Sequence, residues 1–375
     1  MTTPPRPPVL VTWDELQAPE VSARVEQLRA AGAPPLVRAV GAPPSSTTSV
    51  LRNGIVTLGI AGVVGGLVGW ALSELITNTR APEGTSHWYG DSATAGAVVF
   101  VLFIALGLGG VLSAVDGLEA RSLQKAWQRL RLALPVLAVG GVVGGYLAQK
   151  LYESRIDAAI KDASDYFDAT GDTSGAFEQL QGAVHLSRGL GFALLGLAIG
   201  LALGLSSRSK QRAINGAIGG VVGGGVGGYV FDYVDLGDSG VMNRLVAIVI
   251  TGAVIGLAVG LVEQVRRELW LEIVSGGMAG KQFILYNDAT VVGAGPSCDI
   301  TLIKDPQIVD RHLLLSRSGS TTRATAATPG VPFLLNGQPV LESTLTDGDT
   351  VQVGSTVLRL RAKSASAPVA GPILG

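Results

Sequence analysis

The chain has 375 residues, of which 47% are hydrophobic and only 15% charged, against about a quarter charged in soluble domains. Its formal net charge of −1 supplies no field to hold nucleic acid, and its single cysteine, Cys298, excludes an internal disulfide or a cysteine-based metal cluster. Three His without paired spacing argue against zinc, no cofactor is expected, and 52 glycines with few aromatics point instead to closely packed membrane helices.

Residues 1–52 are punctuated by Pro4, Pro5, Pro7, Pro8, Pro34, Pro35, Pro43 and Pro44. Between them, Pro19–Ala31 reads as a short helix. Pro19 suits a first turn, Val21, Val25 and Leu28 form a narrow apolar stripe, and Gly32 is a stop. The expectation is a Pro-rich arm with one docking helix, or a passive tail. The opening MTTPPRPPVLVTWDEL lacks the apolar run of a signal peptide, so insertion is expected from internal segments.

Residues 53–264 carry six apolar stretches, near 54–75, 94–115, 132–149, 187–205, 213–231 and 244–263. Each is close to the roughly 20 residues that cross a bilayer core. Arg121, Lys125, Arg129 and Arg131 follow the second stretch, Arg208, Lys210 and Arg212 the fourth, and Arg266 and Arg267 the sixth. The alternate loops are acidic: Glu83 and Asp91, then Asp157, Asp162, Asp165, Asp168 and Asp172, then Asp232, Asp235 and Asp238. The basic loops are expected to face the cytoplasm, with both termini. That makes a multi-pass inner (plasma) membrane protein. Trp70, Tyr146 and Tyr229 fall where an outer aromatic belt would put them. AGVVGGLVGW, VGGVVGGYLA and IGGVVGGGVGGYV recur in the odd stretches, and GLGGVL, GLALGL and GLAVGL in the even ones. The fold expectation is thus an α-helical membrane bundle of six transmembrane helices, built as three hairpin repeats of one orientation.

Small residues four apart let helices approach in lipid. The fifth stretch carries Gly216, Gly220, Gly224 and Gly228, the fourth Gly196, Gly200 and Gly204, and the sixth Gly252, Gly256 and Gly260. They are expected to serve helix packing, within the chain or in a homo-oligomer. Intramembrane polar residues are sparse, chiefly Asn215 and Thr251. A transporter or channel would need a hydrated cavity around them. GDSG at 237–240 matches a serine-protease string, but no later stretch carries a His, and it reads as an acidic turn.

After Trp270 the pattern becomes LEIVSG, KQFILY, ATVVG, DITLI, HLLLSR, PFLLNG and TVQVG, short β-rich runs separated by turn residues. This argues an all-β sandwich over 268–362, with a disordered tail at 363–375. GAGPSC at 293–298 lacks the third Gly of a dinucleotide loop and runs into a strand. Gly293, Asp299-Ile300, His312, Asn336-Gly337 and Asp347-Gly348-Asp349, with the opening GMAGKQFIL, make the region resemble the forkhead-associated (FHA) family. The resemblance implies an eleven-stranded sandwich that reads phosphothreonine peptides through loops at one end. Gly293, His312, Asn336 and Gly337 would hold its scaffold. The family's phosphate-binding Arg would follow Gly293, where this chain has Ala294. Its Ser would fall at Val309, followed by Asp310, and its peptide-backbone Asn near Gly330–Pro332. A phosphate of about −1.5 to −2 charges would meet a methyl, an isopropyl and a carboxylate. Only Arg311 could compensate.

The expected function is a membrane-anchored, non-enzymatic scaffold. Ala294, Val309, Asp310 and Arg311 would form its face toward cytoplasmic protein partners, without phosphate. The chain resembles FHA-bearing bacterial membrane proteins linked to Ser/Thr kinase signalling. A Gly-packed transporter or channel with an FHA regulatory domain, and a genuine phosphothreonine reader, stand as alternatives.

Overall fold

The computed structural model describes residues 53–77, 92–120, 122–233, 240–303, 305–319 and 321–363. The expected arm with its Pro19–Ala31 helix, most of the GDSG turn and the tail beyond Lys363 lie outside these residues. Among the described residues the helices are α1 (Gly54–Thr77), α2 (Ala93–Glu119), α3 (Leu123–Thr170), α4 (Thr173–Ser206), α5 (Lys210–Val230) and α6 (Gly240–Val265). Four starts are capped by side chains that satisfy otherwise unpaired N–H groups. Ser92 accepts from Ala95, Ser122 from Lys125, Asp172 from Ser174 and Ser209 from Arg212. Gly171, with φ of 67°, ends α3 in the left-handed conformation that glycine takes without cost.

Five of the helices, α1 to α4 and α6, are long and apolar enough to cross a membrane. The expectation of six spans therefore reduces to five clear candidates. The remaining helix, α5, is 21 residues long, and its many glycines add little apolar character. A second difference concerns the acidic loop expected around residues 157–172. There, α3 runs on without a break to Thr170 and α4 begins at Thr173. At about 1.5 Å per residue, the 48 residues of α3 extend roughly 70 Å, twice the thickness of a bilayer core. The reason is local: QKLYESRIDAAIKDASDYF is rich in helix formers and lacks Gly and Pro.

The helices pack as a ring in chain order, with α1 closing against α6. Leu108, Leu112, Leu137, Ile199, Leu203, Ile248 and Ile255 fill its core. Glycines set the separations. A Cβ on Gly220 would collide with the Gly196 carbonyl, one on Gly200 with that of Gly216, and one on Gly252 with that of Gly62. Gly204 faces Ala213, Gly256 the Leu58 carbonyl, Gly260 the Ile55 backbone, and Gly224 and Gly228 lie on Phe192. Residues Ala105–Gly109 form a π-helical turn within α2, where Gly107 meets the Gly69 backbone.

Eleven strands follow among the described residues. One sheet has the order β2 (Gln282–Ile284), β1 (Leu269–Ser275), β11 (Thr356–Ala362), β10 (Thr350–Val353), β7 (Phe333–Leu335), β8 (Gln338–Val340). The other runs β4 (Ile300–Thr301), β3 (Ala289–Gly293), β5 (Leu313–Ser318), β6 (Thr321–Ala326), β9 (Glu342–Leu345). In β1 and β11 alternate residues turn inward, as a half-buried strand requires. Leu271, Val292, Leu313, Phe333, Val351 and Leu358 make the core between the sheets. The β3–β4 pair is parallel, so the chain must cross over between them. Residues 294–299 make that crossover and form part of the loop end.

Candidate functional site

Ala294, Val309, Asp310 and Arg311 come together at the loop end of the sandwich, where β3 leaves the sheet beside the segment that leads into β5. The Ala294 N–H donates to the Val309 carbonyl (3.0 Å) and the Gly295 N–H to the Asp310 carbonyl (3.0 Å). The Cys298 thiol also donates to the Asp310 carbonyl, at 2.8 Å. A Cβ on Gly293 would strike that same carbonyl, which is why the position needs glycine. Ala294 and Val309 are half-buried, whereas Asp310 and Arg311 are exposed. Two adjacent backbone donors of the crossover loop are therefore engaged by protein carbonyls, and an exposed carboxylate stands beside them.

His312 is buried one residue further on. Burial pushes its pKa below the usual range, although the Pro332 carbonyl and the Asp305 carboxylate work the other way. Its Nδ1 accepts from the Val309 N–H at 3.4 Å, as a neutral ring can. Asp305 is a second brace. Its carboxylate accepts from the Gln307 N–H, the Ser355 N–H and hydroxyl, and the Thr356 hydroxyl, at 2.8–3.1 Å. Burial raises its pKa, but the hydrogen bonds from Ser355 and Thr356 outweigh that and hold it below the ordinary value. Asn336 (φ 49°) and Gly337 (φ 87°) make the left-handed turn between β7 and β8. Asn336 donates to Asp349 and accepts from the Thr350 N–H and hydroxyl.

The same loop end is tied to the helices. Lys125, at the start of α3, is 5% exposed. Its ammonium donates to the Cys298 carbonyl (3.0 Å), the Asp299 carbonyl (2.7 Å) and the Thr301 hydroxyl (3.3 Å). A chain of contacts thus runs from α3 through Cys298 to Asp310. Beside it, Arg212 of α5 binds Asp116 of α2 at 2.6 Å and Glu263 of α6 at 3.1 Å. The Arg212 guanidinium also lies over the Tyr286 ring, whose hydroxyl burial pushes well above its ordinary pKa. Lys281 pairs with Glu119, and Arg267 stacks on Trp270 at 4.0 Å. A cavity of about 170 Å³ lies among these groups. Burial likewise raises the Cys298 thiol, which is thus an uncharged donor rather than a nucleophile.

The bases among these residues were visible only as a topology signal, and the partnership was not. Asp116 and Glu263 carried the available hint: each is an acid at the basic-loop end of an apolar stretch, where a lone carboxylate needs a partner. The Thr251 hydroxyl donates to the Gly227 carbonyl, and Asn215 is buried in α5. A cavity of about 540 Å³ lies elsewhere in the ring, lined by Phe100, Gln149, Arg188, Phe192, Phe231 and Arg244 among others. Among the described residues, no three His, Cys, Asp or Glu side chains are placed to hold a metal ion.

Residues 272–364 match the family described as the inner membrane component of T3SS, cytoplasmic domain. The C-terminal region matches an FHA-type domain. Three solved structures illustrate the likeness. A domain from a study of phosphothreonine-dependent FHA domain interactions is 23% identical, with a TM-score of 0.24, over 26% of this chain and 97% of that one. The FhaA FHA domain, solved with the intracellular domain of a second protein, is 24% identical, with a TM-score of 0.23, over 25% and 99%. The cytoplasmic domain of the T3SS sorting platform protein PscD from P. aeruginosa is 21% identical, with a TM-score of 0.24, over 27% and 85%. No curated protein matches the chain. The family match is confined to the C-terminal quarter of the chain, after the apolar helices.

Proposed function

We propose that this protein is a membrane-anchored scaffold whose degenerate FHA domain recruits a cytoplasmic protein through Ala294, Val309, Asp310 and Arg311 without needing a phosphate. The observation that carries the reading is the loop end itself. Its two adjacent N–H groups are bonded to the Val309 and Asp310 carbonyls, and Asp310 stands exposed beside them. An arriving phosphate would lose hydration, meet a like charge and gain few donors. Six helices cross the membrane in this reading, with the glycine rows packing them into one bundle. The basic ends, which carry Lys125 and Arg212, lie on the cytoplasmic side. The sandwich contacts that side through Lys125 and Lys281. A Ser/Thr kinase setting is consistent with the FHA domain, but phosphate would act on the partner's supply rather than on its capture.

The test is a photo-crosslinking residue placed at Asp310 in the intact chain, with membranes prepared from phosphatase-treated and untreated cells. A partner captured equally in both supports the proposal. Capture that disappears with phosphatase overturns it in favour of a phosphothreonine reader. The 540 Å³ cavity favours a second reading, a bundle that binds or moves a solute. Solute uptake by the purified chain in vesicles, abolished by filling the cavity through Gly191→Leu, would establish it.

A further inference from the structure

A further cavity, of about 220 Å³, lies where the basic end of the bundle meets the crossover loop. Lys125, Arg129, Arg131 and Arg208 line it, with Asp299 as the only acid among the described lining residues. The Asp299 carboxylate already accepts from the Val291 N–H at 2.9 Å. Two of the four cations are committed: Lys125 to the oxygens described above, and Arg129 to the Ser206 carbonyl at 2.9 Å. The other two are not. Arg131 and Arg208 are exposed, and neither guanidinium has a hydrogen bond or ion pair among the described residues. Ser206, Ser207 and Ser297 add small polar groups to the lining.

Arg208 carries a second sign. Its φ of 53° places it in the left-handed region, which a glycine would occupy without strain. An arginine held there against that preference presents its guanidinium beside the cavity. The surroundings fix the depth. Leu132 lines the cavity and is 38% exposed, and Leu205 and Trp127 flank that end of the bundle at 54% and 60%. An exposed Trp among exposed leucines belongs at the boundary between headgroups and acyl chains. Cations above an apolar wall match a ligand with an anionic head and an apolar tail.

We infer that this cavity binds a phosphate-bearing anion, the headgroup of an anionic phospholipid of the surrounding leaflet, with Arg131 and Arg208 as its primary ligands. The inference rests on the membrane reading for its source of ligand, but the phosphate chemistry of the cavity does not. Because Pro296, Ser297, Cys298 and Asp299 form one wall, an occupied site would also brace the loop that leads to Asp310. Lipid composition would then bear on the interaction face.

The experiment uses the full chain, purified in a non-ionic detergent and titrated calorimetrically with short-chain phosphatidylglycerol, short-chain phosphatidylcholine and inorganic phosphate. Saturable binding of phosphatidylglycerol, weakened about tenfold or more by Arg131→Gln with Arg208→Gln, is the expected result, since each surface cation contributes a severalfold factor toward an anionic headgroup. The control, Arg155→Gln with Lys161→Gln, removes two cations far along α3 and should leave the affinity unchanged. Inorganic phosphate binding as tightly as phosphatidylglycerol, and equally sensitive to Arg131 and Arg208, would support the anion site and assign it a free phosphate. No saturable anion binding, or equal losses in both double variants, would overturn the inference. Because inorganic phosphate tests the cavity without a bilayer, a wrong membrane reading and a wrong site give different results.

Discussion

Replacing Lys125 with Met should loosen the sandwich from the helices while leaving both folded. Lys125 uses all three of its donors on the Cys298 carbonyl, the Asp299 carbonyl and the Thr301 hydroxyl, at 2.7–3.3 Å. Hydrogen bonds to a charged group are worth about 1.5–3 kcal/mol each. Against them stands the cost of burying the ammonium, several kcal/mol. Methionine fills a similar volume but leaves three acceptors in a buried seam without a donor. The net loss of docking should be about 2–4 kcal/mol, which is about 30-fold to several hundred-fold in an opening equilibrium. Hydrogen exchange on the full chain reads this directly. Amides of residues 293–302 should exchange faster by that factor, while those of β10 and β11, inside the separate sandwich core, should hold. Unchanged exchange in 293–302 would refute the reasoning, because Lys125 would then not secure the loop. Uniform loosening of the sandwich would refute it as well.

Other consequences are testable alongside. Gly220→Leu should force α4 and α5 apart, since even a Cβ there would overlap the Gly196 carbonyl; a loss of several kcal/mol should appear as a lower melting temperature in detergent, with Val222→Leu on the exposed face as a neutral control. Because the folded pKa of Asp305 lies below its unfolded value near 3.9, the stability it contributes is complete above about pH 4 and is lost as pH falls through the folded value. Melting of the full chain between pH 6 and pH 3 should show that loss for the wild type and a flatter profile for Asp305→Asn, which should also be less stable at pH 6. Asn336→Ala should cost about 1–2 kcal/mol through the left-handed φ and the lost bonds to Thr350, measured by denaturant titration.

Local rules carried much of this architecture. Alternation over β1 and β11, Asn336-Gly337 between short strands, and apolar runs near 20 residues each state a periodicity that a single element obeys. The glycine spacing in α5 likewise marks one helix face, although only the packed ring shows that Gly196 and Gly62 are the partners of Gly220 and Gly252. The rest depends on meetings between distant segments. Lys125 and Cys298 are 173 positions apart, and nothing near either announces the other. Arg212, Asp116 and Glu263 belong to three helices that converge at one end. The α3–α4 hairpin is hidden for a different reason: its acids resemble a loop, whereas charged residues with strong helix propensity continue a helix beyond the apolar zone. That Ala294, Val309 and Asp310 share one loop end follows from the family resemblance, but the engagement of the Ala294 and Gly295 N–H groups by neighbouring carbonyls does not.

Phosphate independence is tested most directly by the ratio of two affinities. The full chain in nanodiscs would be titrated with a degenerate phosphothreonine peptide library and with its unphosphorylated twin, for the wild type and for Arg311→Ala. Equal or absent binding in the two libraries is expected, with Arg311→Ala changing neither relative to the other. Micromolar binding of the phosphorylated library alone, lost on Arg311→Ala, would contradict the account and make this face a phosphothreonine reader.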